Sequence, residues 1–236
     1  MNKTLSIAAT GIMTALVAAM TMAISIYIAP TRGYFNVGEV AVYLSALFFG
    51  PYVGAFAGGV GSAISDITLG YLQYAPGTLI IKGFEGFIAG YLTHKFPKKV
   101  NKRSWRVGLV GISSTILIIA MIILFIYYQG NAELTIGNLI FELTIPGILW
   151  IILVGLMLIS VVSATLKFDP ELGWITFSII ISGIEMVIGY FLYELIIVGA
   201  EAYAEIPFNI GQMTVGLLVS IPVYRSLRKR ITEFIS

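Results

Sequence analysis

Of the fourteen Lys and Arg residues in this 236-residue chain, twelve fall between or beyond long apolar runs, on connections that simple alternation places on one side of a membrane. They are Lys3, Lys95, Lys98, Lys99, Lys102, Arg103, Arg106, Lys167, Arg225, Arg228, Lys229 and Arg230. Arg32 falls on the opposite face, and Lys82 lies inside an apolar run. Short Lys/Arg-rich loops stay cytoplasmic, so the pattern predicts a multi-pass protein of the cell (plasma) membrane with both termini cytoplasmic. Composition agrees, with 58% hydrophobic and 11% charged residues against roughly a quarter charged in soluble domains. The pI near 8.7 is accounted for by the juxtamembrane loops, which removes nucleic acid as a partner. The absence of cysteine excludes disulfides, thiolate chemistry and Cys-based metal sites. The run Leu5 to Ile28 is uncharged and longer than the roughly 7–15-residue core of a signal peptide, so it reads as a retained first helix.

Eight segments are apolar enough to cross or enter a bilayer: 4–28, 37–49, 51–69, 77–94, 106–128, 144–166, 172–199 and 206–228. A full span takes about 20 helical residues. The second segment is shorter than that and is expected inside the bundle. Gly50-Pro51 separates the second and third, because proline fixes φ and has no amide to donate, and Pro76-Gly77 opens the fourth in the same way. Alternation then puts 29–36, 70–76, 129–143 and 200–205 outside as loops. The chain reads as a single transmembrane domain, 1–236.

Small residues organise two of these helices. Gly11, Ala15, Ala19 and Ala23 recur every four residues along one face of the first, a stripe that lets another backbone approach closely. Packing within the chain and docking of another membrane subunit are both compatible with it. The third helix carries such stripes on most sides (Gly54, Gly58, Ser62; Ala55, Gly59, Ala63; Ala57, Gly61, Ser65), which predicts a central helix packed all round.

Polar groups in a bilayer must face a cavity or one another, so those near one depth belong together. Lys82 has Glu85 at i+3 on the same helical face, and Asp66, at the outer end of the third helix, makes Lys82 its expected ion partner. Tyr190 and Glu194 form an i,i+4 pair, Asn209 and Gln212 an i,i+3 pair, and Glu185 lies deeper. Competing structural readings stand beside these. Asn36 and Glu39 read as a capping box, Lys82 and Glu85 as a neutralised structural pair, and Glu201 and Glu205 as solvated loop charges. Tyr27, Tyr34, Tyr71, Tyr74, Tyr193 and Tyr203 read as an interfacial belt, from which several could line a pocket. Together the polar groups predict an outward-facing cavity for a small, planar, hydrogen-bonding solute. No phosphate-binding loop or H-E-x-x-H motif occurs, and His94 sits at the basic side, so the chain is expected not to be an enzyme and to take no cofactor. Energy for transport must come from an ion gradient or from a separate ATPase.

At these residues the chain resembles the substrate-binding (S) components of energy-coupling factor (ECF) vitamin transporters, the riboflavin-type group especially. The resemblance is carried by Phe35-Asn36-Val37-Gly38-Glu39, Ala46-Leu47-Phe48-Phe49-Gly50-Pro51, Gly58-Gly59-Val60-Gly61-Ser62 with Asp66, and Pro76 to Gly83. It resumes at Gly189-Tyr190-Phe191 and Glu205 to Gln212. It implies an all-α, six-helix membrane bundle that binds a vitamin or precursor and docks on a transmembrane coupling subunit carrying two ABC ATPases. By position it implies docking through Gly11, Ala15 and Ala19, and a pocket drawn from Asn36, Glu39, Asp66, Tyr74, Lys82, Glu85, Tyr190, Asn209 and Gln212. Segments 106–128 and 144–166 depart from the pattern and read as an inserted helix pair within 104–168, giving about eight transmembrane helices. The rival reading is a stand-alone secondary transporter with Glu185 or Asp66 as its proton carrier.

Overall fold

The computed structural model describes residues 3–95, 102–127, 130–136, 139–145, 147–163, 165 and 170–235. Among them eight α-helices run back and forth through one bundle: α1 Lys3–Ala23, α2 Glu39–Phe49, α3 Pro51–Leu69, α4 Ala75–His94, α5 Lys102–Tyr127, α6 Gly147–Val162, α7 Pro170–Ile197 and α8 Ile206–Ile235. Helices α1, α5, α7 and α8 contain stretches long and apolar enough to cross a membrane. Helices α2 and α6 are apolar but short, and α2 is enclosed along nearly its whole length, as its length predicts. Lys98, Lys99 and Lys167, on the expected basic loops, lie outside the described residues.

The α2–α3 junction follows its sequence closely. Gly50 adopts φ 88°, a conformation that costs a side-chain-bearing residue energy, and Pro51 starts α3 at once. Backbone proximity governs the α3–α4 interface. A Cβ on Gly54 would meet the Gly86 carbonyl oxygen at 2.7 Å, and one on Gly58 would meet the Lys82 carbonyl oxygen at 2.7 Å. On its next face Gly61 lies against Thr14 and Val17 of α1, and Ser65 donates its hydroxyl to the Ala18 carbonyl at 3.1 Å. The expectation that α3 is packed all round does not hold: Tyr52, Phe56, Ile64 and Ile67 are exposed along a third face. Bulky apolar side chains there present an ordinary lipid-facing strip, while the small residues serve the two contacts.

One end of the bundle is capped by a four-stranded antiparallel sheet in the order β2-β1-β3-β4, comprising β1 Ser25–Ile28, β2 Gly33–Asn36, β3 Gly130–Ile136 and β4 Leu139–Ile145. Of the segments expected as loops, 129–143 is therefore largely strand and 29–36 is half strand, and the first helix ends at Ala23 instead of 28. Ile24-Ser25-Ile26-Tyr27-Ile28 is rich in β-branched and aromatic residues, which suit a pleated surface, and Pro30 cannot continue a helix. Tyr27 pairs with both Tyr34 and Thr135, so β1 ties the α1 end of the chain to the α5–α6 connection. The connection between α7 and α8 contains a 3-10 turn, Gly199–Ala204. The membrane-embedded part remains all helical, and the sheet is an addition at its end.

Large apolar side chains fill the middle. One buried cluster joins Tyr43 and Leu47 of α2 to Trp150 and Met157 of α6, Ile179 of α7 and Leu217 of α8. A second joins Met13 and Val17 of α1 to Val40 and Leu44 of α2 and Val53 of α3. Gly58→Leu is expected to destabilise the protein by about 1–3 kcal/mol through overpacking, read as a lower thermal midpoint in detergent. Gly111→Ala, where a Cβ meets nothing within 4 Å, should leave that midpoint unchanged.

Candidate functional site

Directly beneath the sheet, polar side chains from α1, β2, α3, α4, α7 and α8 converge on one cavity. The space among them that a water-sized sphere can enter is about 30 Å³, far below the roughly 300–1,000 Å³ of small-molecule sites. A vitamin-sized solute therefore fits only when side chains part. Three hydrogen-bonded groups shape the walls.

The first group hangs from the β1–β2 turn. Tyr74 donates its hydroxyl to the Thr31 carbonyl at 2.7 Å, and the Thr31 hydroxyl donates to Glu205 Oε1. Arg32, exposed in the same turn, takes φ 55°. The second group links β2 to α3: the Tyr34 hydroxyl donates to Asp66 Oδ1 at 2.6 Å, with the Tyr71 ring stacked on Tyr34 at 4.4 Å. Burial, reinforced by the neighbouring Asp66 charge, pushes the Tyr34 phenol up, so it stays a protonated donor. The third group links β2 to α8. Gln212 accepts the Asn36 amide hydrogen at 3.0 Å and donates to Asn209 Oδ1 at 2.8 Å. Across the cavity the Tyr190 hydroxyl donates to Thr78 at 3.0 Å.

The floor is ionic. The Lys82 ammonium, 3% exposed, is held by Glu39 of α2 and, at 3.1 Å, by Glu85 of its own helix. Glu85 also accepts from Tyr43 at 2.7 Å, and the Glu185 carboxylate is close enough for its charge to act on Lys82 and Glu85. The Lys82 Nζ lies 5.4 Å from the Tyr190 ring centroid, a cation–π distance. Among the described residues no group of three His, Cys, Asp or Glu could hold a metal ion.

The family model for the ECF-type riboflavin transporter, S component, matches residues 1–167 of the chain. The chain belongs to this family. It is also 49% identical over 73 residues, 31% of its length, to a Pyrococcus woesei protein described as "Uncharacterized protein in gap 3'region". The chain spans about half the length, 49%, of that curated relative. As an S component it is a multi-pass membrane transport protein from a family that is not enzymatic. The family match runs through α5 and on through α6, across most of the stretch 104–168 that the sequence reading sets apart.

Seven of the nine residues expected in the S component's pocket line this one cavity: Asn36, Asp66, Tyr74, Lys82, Tyr190, Asn209 and Gln212. Glu39 and Glu85 do not line it; they lie against Lys82 from α2 and from within α4. Two expected pairings change. Asp66 is partnered by Tyr34 and not by Lys82, whose ammonium is already shared by two glutamates. The capping box at Asn36 and Glu39 is absent: α2 has Gly38 as its N-cap with no side-chain cap bond, Asn36 Oδ1 accepts from Gly38 N, and Glu39 turns to Lys82. Glu205, read as a solvated loop charge, is buried, whereas Glu201 is exposed as expected.

Sequence reasoning left out of the pocket Thr21, Gly33, Tyr34, Ser62, Thr78, Glu194 and Glu205. Helical spacing carried a signal for three of them. Thr78 stands four residues before Lys82, Glu194 four after Tyr190, and Glu205 four before Asn209, each sharing a face with a residue that was singled out. Thr21, Gly33 and Ser62 offer no comparable signal. Removing the Lys82 charge leaves two buried carboxylates facing each other, so Lys82→Met should cost about 3–5 kcal/mol of stability. Tyr34→Phe removes one hydrogen bond to a charged group and should cost about 1.5–3 kcal/mol; thermal or denaturant unfolding in detergent ranks the two.

Proposed function

We propose that this S component is the substrate-binding subunit of an ECF-type importer, taking a vitamin or related small heterocycle into the cavity beneath the sheet. The observation that carries this reading is the convergence of polar side chains from six elements on a single cavity at one end of an otherwise apolar bundle. Burying that many polar groups is costly unless they hold one another or a ligand, and several hold neither. Asn36, Asp66, Tyr74, Tyr190, Asn209 and Gln212 are the pocket residues, with Lys82 at their base. Glu39 and Glu85 act on the solute through Lys82, which they fix in place.

The sheet end faces outside and the opposite end the cytoplasm. Arg32 is the cation of the β1–β2 turn, while Lys95, Arg225, Arg228, Lys229 and Arg230 gather at the far ends of α4 and α8, in keeping with the positive-inside rule. The docking face for the coupling subunit and its two ABC ATPases is the stripe Gly11, Ala15 and Ala19. All three are exposed, and a Cβ on Gly11 meets nothing within 4 Å. The same helix turns Ala9, Met13 and Val17 inward, so the stripe is free of the chain's own packing. Helices α5 and α6, read as the added pair, brace α7 and α8 from outside the six-helix unit.

A stand-alone proton-coupled transporter is the competing reading, and Glu185 supports it: its Oε2 is buried without a hydrogen-bond partner. Reconstituted alone, the protein should bind vitamin-class solute and show no accumulation driven by a pH gradient; robust proton-driven uptake would select the rival. Ala15→Leu should abolish co-purification with the coupling subunit while leaving solute affinity within twofold of the parent, and unchanged assembly would remove the stripe as the docking face.

A further inference from the structure

Four charged groups line the cavity, and their balance is uneven. Lys82 is the single cation, and Glu39 and Glu85 already hold its ammonium from below. Asp66, Glu194 and Glu205 have no cationic partner among the described residues; Asp66 accepts from a phenol and Glu205 from a hydroxyl. Glu194 and Glu205 are near enough for their charges to act on one another. Both are buried, at 2% and 3% exposure. Two carboxylates sharing one dry site is an arrangement that a positive charge between them stabilises.

Independent of the acids, neutral polar atoms facing the same space lack partners. Asn209 Nδ2 and Thr21 Oγ1 are buried without any hydrogen bond, their residues only 4% and 2% exposed. Buried polar atoms are ordinarily satisfied, so these point to a missing bound group. Tyrosines stand beside them: Tyr34, Tyr74 and Tyr190 line the same cavity, their hydroxyls committed to Asp66, to the Thr31 carbonyl and to Thr78. Carboxylates combined with tyrosine rings suit a planar cation, which gains from both.

We propose that the solute taken by this cavity is a positively charged heteroaromatic compound, its charge held between Glu194 and Glu205 and its ring against the tyrosines. This rests on the reading of the chain as a vitamin-binding S component, and it narrows the substrate class. The family description names riboflavin, whose ring is neutral; a neutral ring brings no positive charge to the two carboxylates that line the cavity.

Three vitamin-class probes of different charge test it on the purified full chain in lipid nanodiscs: thiamine as the heteroaromatic cation, riboflavin as the neutral ring and biotin as the anion. Thiamine should bind at least tenfold more tightly than either of the others. Glu194→Gln and Glu205→Gln, each checked for an unchanged thermal midpoint, should each weaken thiamine roughly thirtyfold or more, whereas Glu201→Gln at the exposed neighbouring position should have no effect. Riboflavin or biotin binding more tightly than thiamine, or thiamine affinity indifferent to both pocket substitutions, would overturn the charge assignment while leaving the S-component reading in place. Failure of all three probes would overturn it too, and accompanied by proton-driven uptake would remove the underlying reading as well.

Discussion

A single ammonium in a nearly dry interior organises the centre of this protein. Lys82 sits where a charge is least welcome, and the cost is offset because α2 and α4 each present a glutamate to it. The pairing does more than neutralise. Helix α2 is too short to span a bilayer, so its position depends on what grips it from within. The Glu39–Lys82 contact fixes its sheet-end turn, and Tyr43, one turn further along, reaches Glu85. With the floor locked in that way, the groups above it face the cavity instead of collapsing onto Lys82. Buried ion pairs are weak sources of net stability but strong determinants of arrangement when breaking them strands a charge.

The sheet above and the ionic knot below divide the work at the mouth. The β1–β2 turn supplies the Thr31 carbonyl and hydroxyl, which bind Tyr74, the residue just before α4, and Glu205, the residue just before α8. Strand β2 supplies Tyr34 to Asp66 and the Asn36 amide to Gln212. A small unit of two strands thus touches α3, α4 and α8 through side chains that line the cavity. Moving that unit would open the space and loosen its walls together, which fits a cavity now too narrow for a solute. On the lower half, α3 and α4 approach through glycines and leave little freedom there.

Much of this was legible in the chain. Helix α3 has the bounds expected for it, because Pro51 starts it and Gly70, at φ 91°, stops it. Seven of the residues that line the cavity were singled out because polar residues in apolar runs are few and their depths can be counted. The errors have physical causes. Glu39 was read both as a local cap and as a pocket residue, because a cap is visible in sequence whereas its partner Lys82 is 43 positions away. Asp66 was paired with Lys82 because a carboxylate at the negative end of a helix calls for a cation, whereas the Tyr34 hydroxyl meets that need. Glu205 was read as solvated because it lies in a polar connection, and only tertiary structure shows the β1–β2 turn folding over it. The hairpin at 130–145 was missed because a frame of spans and loops treats every connection alike, although Ala132-Glu133-Leu134-Thr135-Ile136 and Phe141-Glu142-Leu143-Thr144-Ile145 alternate in the manner of strands.

The central claim is that the polar cavity beneath the sheet opens to the outside of the cell and is the place where a solute is received. The absence of native cysteine allows a direct measurement. Tyr34→Cys, on the strand that lines the cavity, and Ser226→Cys, on the exposed far part of α8, are each treated in intact cells with a membrane-impermeant maleimide. The account predicts that Tyr34→Cys is labelled from outside and that Ser226→Cys is labelled only after permeabilisation. The reverse pattern would contradict it.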